Sequence, residues 1–416
     1  MTLYKISLTS YRQRKYEYLA ALLLTFLVLL PKGGIKPGGI PLTTGYAILF
    51  LLAGLSLTAY TYSGKIRWIG KNPFICLAAL LPFFAISTIK ILGAGFESVG
   101  FLFAFYTSIF AIPAIFLLLF YYPIKRVSFE FIRSILVKFV FLTAFYGIFL
   151  FFYKLYTGSF IEIPLITVNI GDMGEIENKA INRGGVFKLI STYNNGNIYG
   201  VCMMLLLPLY SYYEKKPYRS LLVKLALILT LSRTVWGGLV VFELLNFLFV
   251  KKKTLGSMIG VSLTLILVFT GLLLGMLLLQ VDASFIADKN LGGRVWQLAA
   301  VYEAGLFPSF EEPFNTILEM VYLSVLNNFG WLGMVSFIIY LTMPLTLYAL
   351  NKVPQARSVE KKLLALGLVL YLIVAFLDGA ILYIPTMPIY WLVAILIFKD
   401  LDDHVDYAAR TVSYRE

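Results

Sequence analysis

Apolar residues dominate long stretches of the chain, and short polar segments separate one stretch from the next. A helix that crosses the roughly 30 Å hydrocarbon core of a bilayer needs about 20 mostly apolar residues. The pattern therefore predicts an all-α integral membrane protein with about twelve transmembrane helices, two of them unusually short. The runs are Tyr18–Leu30, Ile40–Tyr60, Pro73–Leu92, Phe101–Tyr122, Ile135–Leu155, Asn197–Tyr212, Leu221–Leu231, Thr234–Val250, Met258–Leu279, Gly330–Leu350, Leu363–Leu377 and Ile384–Phe398.

The basic residues give these runs an orientation. Lys and Arg concentrate in the cytoplasmic loops of membrane proteins. Assigning the loops alternately to the two sides puts 23 of the 35 basic residues on the side of the amino terminus and eight on the other. We therefore predict that both termini are cytoplasmic. The first run has no small-residue cleavage site after it, which favours a retained span over a cleaved signal peptide.

Two segments on the predicted outer side are long. They are residues 156–190 and 280–328, and the tail 399–416 falls on the cytoplasmic side. Neither long loop has a helix or strand pattern strong enough to define a separate domain. Residues 1–416 are therefore interpreted as one polytopic membrane domain with two longer outer-face loops.

The composition agrees with this class and narrows the chemistry. Hydrophobic residues make up 60% of the chain and charged residues 14%, which excludes an ordinary soluble enzyme and a disordered protein. The formal net charge of +13 follows from the cytoplasmic loops, so no nucleic-acid partner is implied. The two cysteines lie in apolar runs and the single histidine, His404, lies in the tail, so we expect no metal site and no cofactor.

Arg233 is the polar residue that fits an apolar bundle least well. The preceding run, Leu221–Leu231, provides only about 17 Å of helix, so Arg233 should lie below the outer interface of the membrane. An arginine at that depth costs about 2.5 to 3.5 kcal/mol, which a polar cavity or a bound anion offsets. The alternative is that its side chain extends back to the interface. Lys224 lies nearer the cytoplasmic end, where we expect its side chain to reach the interface.

Two more arginines, Arg183 and Arg294, lie in glycine-rich segments of the long outer loops. The segments are Asn182–Gly185 and Gly292–Trp296. Glycine lets backbone amides approach a ligand closely, and the arginine fork matches the oxygens of a phosphate. The pattern favours an anion site on the outer face, with contacts to lipid headgroups or loop carboxylates as the alternative.

Two polar features near these loops are candidates for the rest of a site. Glu319 opens the run that leads into the span at Gly330, and its carboxylate could act as a general base or simply face water. The segment Ser191–Asn197 enters the sixth span, where Asn195 and its neighbours could bind sugar hydroxyls or cap the helix. The residues alone leave both pairs of alternatives open.

Several separated segments resemble those of the O-antigen ligase and polymerase superfamily, membrane glycosyltransferases that take glycans from polyprenyl pyrophosphate. Leu229–Gly238 is similar to the family's Thr-x-Ser-Arg segment, which opens a span. Arg183–Phe187 and Asn194–Gly200 are similar to its Arg-Gly-x-Phe and Asn-x-x-Gly pair, although the phenylalanine comes one residue late. The resemblance implies a GT-C-like membrane glycosyltransferase.

A further segment separates two branches of this superfamily. Gly293–Trp296, Tyr322–Leu323 and Phe329–Gly333 resemble the large-loop motif and the span after it. Ligases begin this region with a histidine eleven residues before the glycine that opens the span, and Glu319 stands in that place. Several polymerases have an acidic residue there, so the resemblance favours a Wzy-type O-antigen polymerase over a ligase.

The resemblance implies an enzyme that acts on the periplasmic face of the bacterial inner membrane. It would join lipid-linked repeat units by transferring a glycan from undecaprenyl pyrophosphate to the terminal sugar hydroxyl of a lipid-linked acceptor, without a metal. Arg233 and Arg294 would be catalytic together with the base. The resemblance implies that Glu319 is the base and that Asn195 and Tyr322 contact the sugar. The implied pyrophosphate ligands are Arg183, Gly185, Arg233 and Arg294.

Two other functions stay open at this point. A ligase would transfer finished glycan to the lipid A core, and its loss would remove all capped lipopolysaccharide. A lipid-linked oligosaccharide flippase, from a different class, should line a central cavity with charges reached from both sides, whereas the unusual charges here collect on the predicted outer half. The expected partners are lipid-linked oligosaccharides as donor and acceptor, the bilayer, and a chain-length regulator protein.

Overall fold

The computed structural model describes residues 14–35, 42–62, 70–170, 174–178, 182–183, 186–249, 266, 270–271, 294–351, 358–383 and 385–399. Within these ranges the chain is mainly helical. The longer helices are residues 14–29 (α1), Thr44–Tyr62 (α2), Lys71–Ala94 (α3), Val99–Arg126 (α4), Phe129–Thr157 (α5), Gly196–Tyr213 (α6), Pro217–Leu229 (α7), Arg233–Phe249 (α8), Val321–Leu350 (α9), Val359–Asp378 (α10) and Thr386–Phe398 (α11).

Short elements complete the described chain. Two antiparallel hairpins pair Gly34–Ile35 (β1) with Leu42–Thr43 (β2), and Asn182–Arg183 (β3) with Val186–Phe187 (β4). Single helical turns occur in the two long loops and directly after the first of them. They are Glu175–Asn178, Ser191–Tyr193, Val295–Ala299 and Ala300–Glu303.

Each predicted apolar run that the structure describes over most of its length corresponds to a helix, although some of the ends differ by several residues. The ninth run, Met258–Leu279, lies outside the described residues except at 266 and 270–271. Among the described helices, α3, α4, α5 and α9 are long and apolar enough to cross a membrane. The chain is therefore an all-α protein with the helices of a membrane protein, whereas the number of twelve spans, the GT-C-like fold and the orientation stay predictions.

α9 begins earlier than the hydrophobic pattern predicts, and it bends where the span was expected to start. Its first residue is Val321, so the end of the predicted loop 280–328 is helical. Gly330 has φ 65°, and a Cβ there would collide with the backbone of the second loop, so the position requires glycine. The bend turns the amide of Trp331 to the carbonyl of Gly305 at 3.1 Å, which joins the loop to the helix.

α6 is the central helix of the bundle. Nearly all of its residues are buried, and it packs against α5, α8, α10 and α11. Glycines set the closest approaches, since Gly200 faces Val235 of α8 and Gly367 of α10 faces the backbone of Leu205. Small residues let apolar helices approach closely. α8 and α10 are therefore fixed in register against α6.

Carboxylates within the first long loop hold it to α5. Glu177 pairs with Lys154 near the end of α5 and accepts a hydrogen bond from the amide of Phe160 at 2.8 Å. Glu162 accepts a hydrogen bond from the amide of Gly174 at 2.6 Å. These contacts fix the end of the loop that leads towards β3 and β4.

Candidate functional site

The amino ends of three helices and the carboxyl end of a fourth meet at one end of the bundle, which we call the rim. α6, α8 and α9 begin there, and α10 ends there. A Cβ on Gly196 would lie 3.2 Å from the carbonyl oxygen of Thr230, just before α8. Gly379, which follows α10, packs on Val321 and donates its amide to Glu319 O at 3.0 Å. Helix amino ends carry partial positive charge, so the amino ends of α6, α8 and α9 can attract an anion at the rim.

Arg294 and Glu319, two of the predicted catalytic residues, are in direct contact at the rim. Arg294 donates from Nε to Glu319 Oε2, and its Nη2 forms an ion pair with the same oxygen. That Nη2 also lies 3.5 Å from Asp378 Oδ2. The Arg294 side chain is 16% exposed and that of Glu319 is 50% exposed. One guanidinium group thus bridges a half-exposed carboxylate and a buried one.

The polar contacts continue behind Asp378. Asn197 Nδ2 donates to Asp378 Oδ2 at 2.6 Å, and Lys188 Nζ donates to Asn197 Oδ1 at 3.2 Å. Lys188, Asn197, Asp378, Arg294 and Glu319 therefore form a continuous set, which we call the rim cluster. It links both long loops to the ends of α6 and α10.

Asp378 ends α10 with a carboxyl group that is hidden from solvent. The residue is 3% exposed. Burial, and then the nearby Glu319 carboxylate, raise the pKa of Asp378 to about 6, while Arg294 and Asn197 act in the opposite direction. The group therefore changes its protonation state close to physiological pH, which is typical of functional sites.

Arg233 is the first residue of α8 and lies at the depth of the rim cluster. Further along α8, a Cβ on Gly238 would lie 2.9 Å from Val374 Cγ2 in α10. Gly238 and Val374 each lie about one helical turn from the rim end of their helix. Because a helix rises about 1.5 Å per residue, Arg233 and Asp378 lie at about the same depth in the bundle. The Arg233 side chain is half-buried. The helix before it, Pro217–Leu229, has 13 residues, which agrees with the short apolar run.

Asn195 and Tyr322 have structural contacts in the fold. Asn195 Oδ1 caps α6 by accepting hydrogen bonds from the amides of Asn197 at 2.8 Å and Ile198 at 3.2 Å, one of the two roles expected from the sequence. Tyr322 is 5% exposed, and its hydroxyl donates to Leu372 O at 2.8 Å. Tyr322 therefore packs between α9 and α10 instead of opening onto the rim, and we assign it no sugar contact.

The remaining predicted ligands lie in the first long loop. Arg183 belongs to β3, where its backbone pairs with Val186 of β4. Gly185 lies outside the described residues. The pyrophosphate roles of Arg183 and Gly185 stay predictions.

Lys224 does not reach for the membrane interface, and the expectation from its position in the sequence is wrong. Its ammonium group pairs with Glu243 of α8 at 2.5 Å, and the side chain of Glu243 is fully buried. A buried carboxylate needs a compensating cation, which holds the lysine inside the bundle. The pair joins α7 to α8 at a distance from the rim.

Two members of the rim cluster, Lys188 and Asp378, were not predicted as site residues, and Asn197 was included only as part of the candidate segment Ser191–Asn197. Lys188 and Asp378 do carry a signal in the sequence, because Asp378 is an acid directly after an apolar run and Lys188 is a cation on the side that is poor in cations. Their convergence has no local signal, since 181 positions separate Asn197 from Asp378.

Comparisons with known proteins give no relative, since no family model, no curated protein and no solved structure matches the chain. Among the residues that the structure describes, no group of three or more His, Cys, Asp or Glu side chains could hold a metal ion. At the rim, Arg294, Lys188 and the helix amino ends offer positive charge to an anionic ligand, and Arg233 lies at the same depth.

Proposed function

We propose that the chain is a Wzy-type polymerase, a glycosyltransferase that joins lipid-linked repeat units of a bacterial surface polysaccharide. The donor is a growing glycan on undecaprenyl pyrophosphate, and the acceptor is a single lipid-linked repeat unit. The observation that carries the proposal is the rim cluster, in which a guanidinium, an ammonium and two carboxylates lie beside three helix amino ends. The lipid tails reach such a site laterally through the bilayer.

The proposed reaction needs a stabilised leaving group and a proton acceptor. The acceptor hydroxyl oxygen attacks the anomeric carbon, the bond from that carbon to the pyrophosphate oxygen breaks, and the hydroxyl proton passes to Glu319. Arg294, Arg233 and the helix amino ends stabilise the charge that develops on the pyrophosphate. Arg294 exchanges its contact with Glu319 for one with phosphate, which leaves the carboxylate able to accept the proton. Asp378 and Asn197 keep Arg294 oriented.

Substitution of Arg294 tests this proposal directly. Arg294→Ala should slow polymerisation by roughly 10²- to 10³-fold, the usual effect of removing a donor that stabilises developing charge. Arg294→Lys should restore only part of the activity because lysine lacks the planar fork. The measurement is the length distribution of glycan made by purified protein from lipid-linked repeats. Arg126→Ala, at the end of α4 and bonded to Tyr122, is a matched control that should remain fully active.

The same assay separates the alternatives. Normal glycan lengths from both Arg294→Ala and Arg233→Ala would contradict the proposed site. Transfer of glycan only to a lipid A core would indicate a ligase, and movement of lipid-linked units across a vesicle membrane without elongation would indicate a flippase. Glu319→Gln should slow elongation, and Glu319→His tests whether the ligase residue can replace the carboxylate.

A further inference from the structure

A polar cavity lies at the end of the bundle opposite the rim. α5 and α10 begin beside it, and α11 ends beside it. Its volume of about 360 Å³ falls within the range of about 300 to 1,000 Å³ that is usual for small-molecule sites. Its polar lining consists of Glu130, Arg133, Ser358, Glu360, Lys361 and Lys399.

Two of the cations that line this cavity are buried. Lys361 is 6% exposed and Lys399 is 8% exposed. Lys399 Nζ donates to the carbonyl of Val127 at the edge of the cavity. The third cation, Arg133, lies over the ring of Tyr213 at 4.2 Å. Ammonium groups held away from water are unfavourable unless acceptors or anions surround them.

The two lining carboxylates are engaged with groups of the protein. Glu360 Oε1 accepts a hydrogen bond from the Tyr213 hydroxyl at 2.6 Å, and Glu130 Oε1 lies 3.4 Å from Arg133 Nη2. Cations outnumber carboxylates along the lining. The amino ends of α5 and α10 add partial positive charge to the cavity. The carboxyl end of α11 adds partial negative charge, and Lys399 lies beside that end. The sum of these charges favours an anion.

We propose that this cavity binds a phosphate-bearing anion and that the headgroup of an anionic glycerophospholipid supplies it. A basic recess between membrane helices suits such a headgroup, and the predicted orientation places this end of the bundle at the cytoplasmic leaflet. Phosphodiester oxygens accept charge-assisted hydrogen bonds from Lys361 and Lys399. The site is separate from the rim cluster and does not depend on the proposed glycosyl transfer.

Thermal unfolding of the full-length protein in neutral detergent tests this proposal. The protein is titrated with dihexanoyl phosphatidylglycerol, dihexanoyl phosphatidylcholine or inorganic phosphate, because a ligand of the folded state raises the unfolding midpoint. Phosphatidylglycerol should raise it, and phosphatidylcholine at the same concentration should not. Lys361→Gln should weaken the apparent affinity for phosphatidylglycerol by about tenfold or more. Lys362→Gln, the same change at a neighbour outside the cavity lining, should leave that affinity unchanged.

The other outcomes either specify the ligand or overturn the proposal. In one of them, inorganic phosphate stabilises the protein as strongly as phosphatidylglycerol does and loses the same affinity in Lys361→Gln. That result would support the anion site, with a soluble phosphate as its ligand. Equal stabilisation by both lipids, or full affinity in Lys361→Gln, would overturn it. Lys399→Gln is a second variant should Lys361→Gln fail to fold. Phospholipid retained through purification, counted by mass spectrometry, should then include phosphatidylglycerol in the unsubstituted protein and lack it in Lys399→Gln.

Discussion

Asp378 and Glu319 share Arg294 but lie in different environments. Asp378 is 3% exposed, whereas the Glu319 side chain is 50% exposed. An acceptor sugar can reach the open carboxylate, while the buried one is held between Arg294 and Asn197. Environments that differ in this way give neighbouring carboxylates different roles. We therefore interpret Glu319 as the proton acceptor and Asp378 as a positioning residue for Arg294.

Polymerisation should decline as the pH falls through about 6, because protonation of Asp378 removes the negative charge beside Arg294. Asp378→Asn should be roughly 10- to 100-fold slower at neutral pH, which matches the loss of a charged hydrogen bond worth about 1.5 to 3 kcal/mol. It should also lose most of the acidic decline. The measurement is the pH profile of kcat/KM for elongation.

A second carboxylate provides the control for this profile. Glu177→Gln removes the partner of Lys154 in the first long loop, away from the rim cluster, and should keep the unsubstituted profile. An acidic decline that survives intact in Asp378→Asn would show that another group controls the pH dependence.

Among the elements, apolar runs identify helices but not the bends and buried charges within them. The run Leu221–Leu231 predicts α7 to within two residues of its end at Leu229, because apolarity is a local property of the chain. The bend at Gly330 depends on carbonyl groups of a loop that lies earlier in the chain. The inward position of Lys224 depends on Glu243 in the next helix. Neither partner is visible in the local pattern.

The same limit applies to the candidate site. The sequence identifies Arg294 and Glu319 through residue type, glycine context and resemblance, and the fold brings them into contact. It does not identify the buried Asp378 or its contact with the half-buried Asn197, because that contact depends on how α10 packs beside α6. Cations in unexpected places can thus be found from sequence, whereas the groups that orient them require the fold.

Breaking the ion pair between Lys224 and Glu243 should strongly destabilise the protein. Replacing both residues by apolar ones should change the unfolding free energy little. Glu243→Gln removes the carboxylate from a lysine side chain that is only 14% exposed, so we expect a loss of roughly 3 to 5 kcal/mol in unfolding free energy. The double variant Lys224→Met/Glu243→Leu should recover most of that loss, because no buried charge remains. Unfolding midpoints in detergent measure both effects, and a double variant as unstable as Glu243→Gln would contradict this explanation.

At the scale of the whole molecule, the rim cluster and the basic cavity lie at opposite ends of α10. Its last residue, Asp378, belongs to the cluster, while Glu360 and Lys361 in its first turn line the cavity. The distribution of basic residues predicts a periplasmic rim and a cytoplasmic cavity. Both proposals need this orientation, since polymerisation is placed on the outer face and the phospholipid headgroup in the inner leaflet.

Cysteine labelling can test the orientation because Cys76 and Cys202 are both fully buried. Tyr156, at the rim end of α5, is 93% exposed, and Tyr218, at the opposite end of the bundle in α7, is 58% exposed. A membrane-impermeant maleimide added to spheroplasts should label Tyr156→Cys at once and Tyr218→Cys only after the membrane is permeabilised, while the unsubstituted protein stays unlabelled. The reverse pattern would put the rim in the cytoplasm, where Arg294 and Glu319 could not act on substrates presented at the periplasmic face.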